Sequence, residues 1–190
     1  MAVYFLPDNL KVDPDFLKMI GEDYEIFGDE GMPSQIEDYI LQRYRIDLSA
    51  TFAGMKIKNP FGKASGQLSM NIDQVRTDVS DGLGFIVLKT VVAQDSEGNS
   101  AMKEWKIDKP QMQVDKIISK SGKKGWSVSW DGRGWSRSFE EYLEFYKGAY
   151  DLGNAKNIPI AASCQFHMPE KGEEFNEEEY HYTGERFSET

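Results

Sequence analysis

One cysteine, Cys164, occurs in the 190 residues, so no disulfide can form within the chain, and this usage fits a reducing, cytoplasmic compartment. No apolar run approaches the roughly 20 residues that cross a bilayer, so no membrane-spanning helix is expected. The start, residues 1–8, lacks both a basic beginning and an apolar stretch long enough for a signal peptide. Positive charge is scarce: 22 Lys and Arg stand against 32 Asp and Glu, for a net charge of -10. Such a chain repels phosphate backbones, so nucleic acid is not an expected partner. There are only two histidines, and Cys164, His167 and His181 are too loosely spaced to predict a metal site. The chain has neither a cysteine cluster for an iron–sulfur centre nor a nicotinamide-binding fingerprint.

What is present argues for a folded chain. Hydrophobic content is 39% and aromatic content 13%, and 190 residues are enough for one core, or for one core with a small appendage. Residues 1–48 form an opening helical extension. Asp13-Pro14 is an N-cap and first-turn pair, and it predicts a short helix through Phe16, Leu17 and Ile20 that stops at Gly21. Residues 29–33 predict a loop. Ser34 and Glu37 stand at capping-box spacing before a helix carrying Ile36, Tyr39, Ile40 and Tyr44, to about Arg45.

From residue 49 the pattern changes. Two short strands, 46–52 and 55–57, surround Ala53-Gly54. A strand entered through Pro60 ends in Ala64, Ser65 and Gly66, small residues that let a backbone or flat ligand come close. Ile72, Val75 and Val79 give a helical stripe that ends near Asp81-Gly82. The apolar run 84–90 is the next strand, and it ends in Lys89 and Thr90. Two successive strands ending in functional side chains, with a helix between them, predict a parallel βα arrangement with a site at the strand ends.

Residues 91–137 are long, polar and rich in tryptophan, which predicts a functional loop or a small hairpin; Trp126 to Trp130 alternates like a strand. The tryptophans form either a lid over a planar ring or a satellite core. Lys123-Lys124 either grips a phosphate or an acidic partner, or forms a solvated turn. Ser138 and Glu141 predict a capping box that opens a helix to about Leu152, with Gly153 as its stop. Residues 158–164 predict a third buried strand, ending in Cys164, where ligand contact is possible. Residues 173–185 predict a last helix. The acidic run from Glu170 to Glu179 is expected to be a solvated face.

Residues 51–57, 59–66, 85–90 and 158–163, in this order and spacing, resemble the dihydroorotate dehydrogenase family, including the pyrimidine-reducing barrel of dihydropyrimidine dehydrogenase. The resemblance covers residues 49–165. It implies the N-terminal portion of an FMN-dependent TIM (β/α)8 barrel, about three βα units in residues 49–190, preceded by the helical extension. It also implies that Ala64, Ser65 and Gly66 approach the flavin, with Lys89 near its N1–C2 side and the substrate, and Thr90 bonded to the flavin. Lys89 would support flavin and substrate rather than act as the catalytic acid or base. The activity implied is hydride transfer between a planar, dihydropyrimidine-like substrate and flavin.

The family's asparagine-bearing loop has its counterpart in residues 127–136, which contain no asparagine. Trp130, Asp131 or Arg133 is expected to face the substrate there. A full barrel takes about 250 residues, so a missing C-terminal half, or a second chain, is expected to complete this one, and a homo-oligomer is a further expectation. The alternative is a non-catalytic, barrel-derived binding or assembly subunit.

Overall fold

A computed structural model of the chain describes residues 11–105, 111–131 and 134–190. It divides into two compact units, Met1–Leu48 and Ser49–Thr190.

In the first unit Asp13 accepts a hydrogen bond from the Asp15 backbone N–H at 2.8 Å and starts α1 (Pro14–Glu30). The helix does not stop at Gly21. It continues through Gly28 and ends before Gly31, whose φ of 82° suits glycine. A mid-helix glycine costs only about 1 kcal/mol, and the stripe Phe16, Ile20, Phe27 rewards continuation. Phe16 packs on Tyr44 and Phe27 on Tyr39, each with ring centroids 5.4 Å apart. The second helix, α2 (Ile36–Tyr44), follows Gln35, which makes no side-chain cap, so the capping box expected from Ser34 is not used.

Asp23, only 4% exposed, ties the pair together. Its carboxylate accepts from Tyr39 at 2.8 Å, from Arg43 at 3.1 Å and from the Tyr44 hydroxyl. Burial alone would raise its pKa; the bonds from Tyr44, Tyr39 and Arg43 outweigh that and hold it below the usual carboxylate range.

The second unit opens with a hairpin, β1 (Ala50–Phe52) and β2 (Met55–Ile57), turned by Ala53 and Gly54, both at positive φ. Then follow β3 (Gly62–Lys63), α3 (Ile72–Ser80), β4 (Phe85–Val92), a second hairpin of β5 (Gln111–Ile118) and β6 (Lys124–Asp131), α4 (Phe139–Asn154), β7 (Ile160–Gln165) and α5 (Glu177–Glu189). Strands β3, β4 and β7 make one parallel sheet in that order.

Val75, Ile86, Leu88, Ala149, Ile158 and Ile160 form one buried cluster between α3, α4 and the sheet. Val91, Trp135, Phe139, Tyr142 and Leu143 form a second, against which α5 packs Tyr182 and Phe187. Ser138 and Glu141 form the expected capping box on α4. Gly153 lies within α4 rather than ending it: a Cβ there would meet the Ile158 carbonyl oxygen at 2.5 Å. The glycine is required by close packing, not by backbone conformation.

The fold is mixed α/β. Among the described residues the parallel strands form no closed barrel, and no strand pairs with the outer edges of β3 and β7. No helix among them is long and apolar enough to cross a membrane.

The acidic stretch is not simply a solvated face. Helix α5 begins at Glu177 rather than 173, and Glu179, 1% exposed, accepts from the Ala101 backbone N–H. Thr183 both accepts from the Gln94 N–H and donates to its carbonyl, each at 3.0 Å. The loop after β4 is thereby fastened to α5.

Candidate functional site

Strand β3 is reached through a fixed entry. Asn59, 2% exposed, donates to the Gly82 carbonyl and accepts from the Phe61 N–H, both at 3.0 Å. Gly84 must be glycine, since a Cβ there would lie 1.8 Å from the Asn59 carbonyl oxygen. The start of the Asn59–Gly66 motif is therefore structural: it locks β3 beside β4.

Past the end of β3 the chain bends at Ala64, Ser65 and Gly66. Ser69, fully buried, shapes this bend by accepting from the Gly66 N–H at 3.0 Å. Its carbonyl accepts from the Lys89 N–H at 2.7 Å, an unusual partner for a strand residue. Gln74, in the first turn of α3, holds the same loop through the Met70 N–H and the Gln67 carbonyl.

Strand β4 is irregular at that point. Its register with β7 shifts between Val87 and Thr90: Val87 faces Ala161, but Thr90 faces Ser163. One extra residue on β4 makes a bulge. Strand side chains normally alternate between faces, yet Lys89 and Thr90, adjacent in sequence, both line the same cleft. The bulge is what makes this possible. It also explains how Ile86, Leu88 and Val91 all reach the helix-covered core.

The cleft has a volume of about 620 Å³ and lies at the carboxyl ends of β3, β4 and β7. Its floor is Ala64, Ser65, Gly66, Lys89 and Thr90, and Trp105, Gly134 and Gln165 add walls. A Cβ built on Gly66 would find nothing described closer than the Ala64 carbonyl oxygen, at 3.9 Å, so a flat ligand can approach this backbone. Ser65 and Thr90 hydroxyls are 2.8 Å apart, and Thr90 and Ser163 hydroxyls 2.9 Å. The three strand ends are thus joined by their side chains. Ser163 is fixed in turn by Tyr142, whose hydroxyl accepts from the Ser163 N–H at 3.2 Å.

Lys89 is 7% exposed, and burial lowers its pKa. No described residue gives its ammonium a hydrogen bond or an ion pair. A buried cation in an open cleft is suited to an anionic or strongly polar ligand atom. Lys63 also lines the cleft, but its ammonium is engaged with Asp78 of α3 at 2.9 Å.

All five residues expected to hold the cofactor, Ala64, Ser65, Gly66, Lys89 and Thr90, therefore meet in one cleft. Arg133 lies outside the described residues, and of Trp130 only the backbone is described, opposite Met112 in the second hairpin. Three of the four tryptophans lie apart: Trp135 is core, Trp126 is exposed on the hairpin, and Trp105 lines the cleft. Cys164 faces the second core cluster, and burial followed by Glu179 pushes its thiol up to about 12. His167 pairs with Glu173 at 2.8 Å. No group of three or more metal-ligating side chains occurs among the described residues.

Sequence reasoning missed Ser69, Ser163 and Gln165, and it held Trp105 only as one of several tryptophans that would form a lid or a satellite core. Of the three missed, Ser163 had a visible signal, its place near the end of a buried strand. The chemistry on offer is a small-residue floor, a hydroxyl row, one unpaired buried cation and an aromatic wall, suited to a planar, electron-rich ring. No protein-family model matches the chain and no curated protein matches it, so the meaning of this cleft rests on its own geometry.

Proposed function

We propose that the chain carries the flavin-binding strand ends of an FMN-dependent oxidoreductase of the dihydroorotate dehydrogenase type. The observation that supports this best is the convergence of Lys89 and Thr90, through a bulge, on the floor made by Ala64, Ser65 and Gly66. FMN, when bound, would supply hydride acceptance from a CH–CH bond of a dihydropyrimidine-like substrate. Ala64 and Gly66 would give its ring system a flat bed. Ser65 and Thr90 would offer hydroxyls to its polar edge. Lys89 would place a fixed positive charge where negative charge gathers on reduction. Trp105 and Gln165 would flank the planar substrate. The open edges of β3 and β7 support a (β/α)8 barrel completed by further βα units, from this protein or a second chain.

The test is titration of the chain with FMN, read by quenching of flavin fluorescence. Binding is expected, and Lys89→Ala should weaken it by about tenfold or more, the worth of one charge-assisted hydrogen bond. A chain that leaves FMN fluorescence unchanged up to about 1 mM flavin, a Kd worth only some 4 kcal/mol, overturns the reading.

A second reading, a non-catalytic assembly subunit, is favoured by apolar side chains left in solvent, such as Tyr24, 81% exposed on α1, and Ile118, 70% exposed on β5. A colourless chain that binds a second chain and ignores FMN would select it.

A further inference from the structure

Strands β5 and β6 pair from Gln111 opposite Asp131 to Ile118 opposite Lys124. Alternation places Met112, Val114, Lys116 and Ile118 on the same face as Trp126 and Val128. Gln113, Asp115, Ser127 and Ser129 fall on the other, with Ile117 its one large apolar side chain. The first face is apolar yet open: Val114 is 45% exposed, Val128 54%, Met112 56% and Trp126 64%. An isolated two-stranded hairpin is marginal in water, so this face requires cover.

Its charge says what kind. The Lys116 ammonium lies 5.4 Å from the centre of the Trp126 ring, Lys124 stands opposite Ile118, and Lys120 and Lys123 occupy the turn. In a chain of net charge -10 this is a concentrated positive patch.

The complement lies in the same unit, between β7 and α5. There, and at the first residue of α5, Glu170, Glu174 and Glu177 are exposed beside Met168, 77% exposed, and Phe175, 49% exposed, with Lys171 the one basic side chain among them. The segment is held in shape: His167 meets Glu173 at 2.8 Å, Tyr180 donates to the His167 carbonyl at 2.6 Å, and Phe175 packs on Tyr180 at 4.6 Å. Two surfaces already shaped lose little entropy on meeting.

We propose that the apolar, basic face of the β5–β6 hairpin docks on the acidic, apolar 168–177 segment of a second copy of this chain. In a two-fold dimer each copy lends one hairpin and one acidic segment, so the contact is made twice. The hairpin lies between cleft residues Trp105 and Gly134 in the sequence, so docking also steadies one side of the cleft. The proposal does not rest on the flavin reading.

Sedimentation velocity of the full chain over a range of concentrations tests it. A dimer is expected, weakened at 1 M salt, where the screening length falls to about 3 Å. The pair K116E/K124E and the pair E170K/E174K should each raise the dissociation constant by about tenfold or more, since each touches both contacts. The four changes combined in one chain should restore the dimer, an outcome that mere misfolding cannot produce. A chain monomeric at every concentration overturns the proposal, as does a dimer indifferent to both pairs. So does failure of the combined variant to recover, or a monomer whose hairpin lysines instead bind anionic vesicles or single-stranded DNA.

Discussion

Strands β4 and β6 are both eight residues long and come to opposite ends. Strand β4 is a nearly continuous apolar run that lies between two parallel neighbours, with Ile86, Leu88, Val91 and Val92 wholly buried. Strand β6 alternates polar and apolar residues, pairs with one neighbour, and leaves Trp126 and Val128 in solvent. Equal length does not give equal burial. The difference lies in cover: the continuous apolar run of β4 is packed, whereas the alternation of β6 prepares one apolar face that nothing in the described chain covers.

The sharpest way to break the comparison is to hollow out β4. Leu88→Ala removes a fully buried side chain and should cost about 2–5 kcal/mol in urea unfolding. A loss under about 1 kcal/mol would mean that the sheet is no better packed than the hairpin.

The next effect is kinetic. With its thiol pushed up to about 12, Cys164 of β7 should react with iodoacetamide at pH 8 on the order of a thousandfold more slowly than a free cysteine. Rapid labelling of the folded chain would show the sheet's carboxyl end to be open on its core side.

Lys89 gives a smaller effect of opposite sign. Its folded pKa is lowered by burial, so the unfolded chain holds that proton to higher pH. The resulting destabilisation is fully present below the folded pKa and fades as pH rises towards the ordinary lysine value of about 10.4. Lys89→Met should therefore raise the Tm of the ligand-free chain at pH 7, and its advantage should shrink as the pH climbs. A lowered Tm at pH 7 would mean that the ammonium has a stabilising partner.

The smallest effect is expected on the hairpin. Trp126→Ser, measured at concentrations where the chain is monomeric, should change stability by no more than about 0.5 kcal/mol. A large loss there would place Trp126 in a core.

What could be read from the sequence was local. The capping box at Ser138 and Glu141 and the apolar runs of β4 and β7 announce themselves within a few residues. The five floor residues were legible because the strand ends carry small or charged groups. What escaped depends on distant partners. Gly21 looks like a helix stop until Tyr39 and Tyr44 of α2 are there to pack on α1. Glu179 looks solvated until the Ala101 N–H meets it. The alternation around Trp126 gives a strand, but not the partner strand or the register that gathers its apolar face. The bulge at Lys89 has no local mark, since it is set by the Ser69 carbonyl that takes the strand's N–H.

The hydroxyls of Ser65, Thr90 and Ser163 carry a further consequence. In both contacts either oxygen can donate, so the hydrogens can point along the row in one direction or in the other. Each arrangement polarises its neighbours, and the three strands share a single reversible dipole. A ligand that accepts from Ser65 takes its one proton, so Thr90 must donate to Ser65 and Ser163 on β7 to Thr90; one that donates to Ser65 leaves that proton free to turn towards Thr90. The middle residue alone transmits this: Thr90→Val would leave two isolated ends, each free to point as it chose.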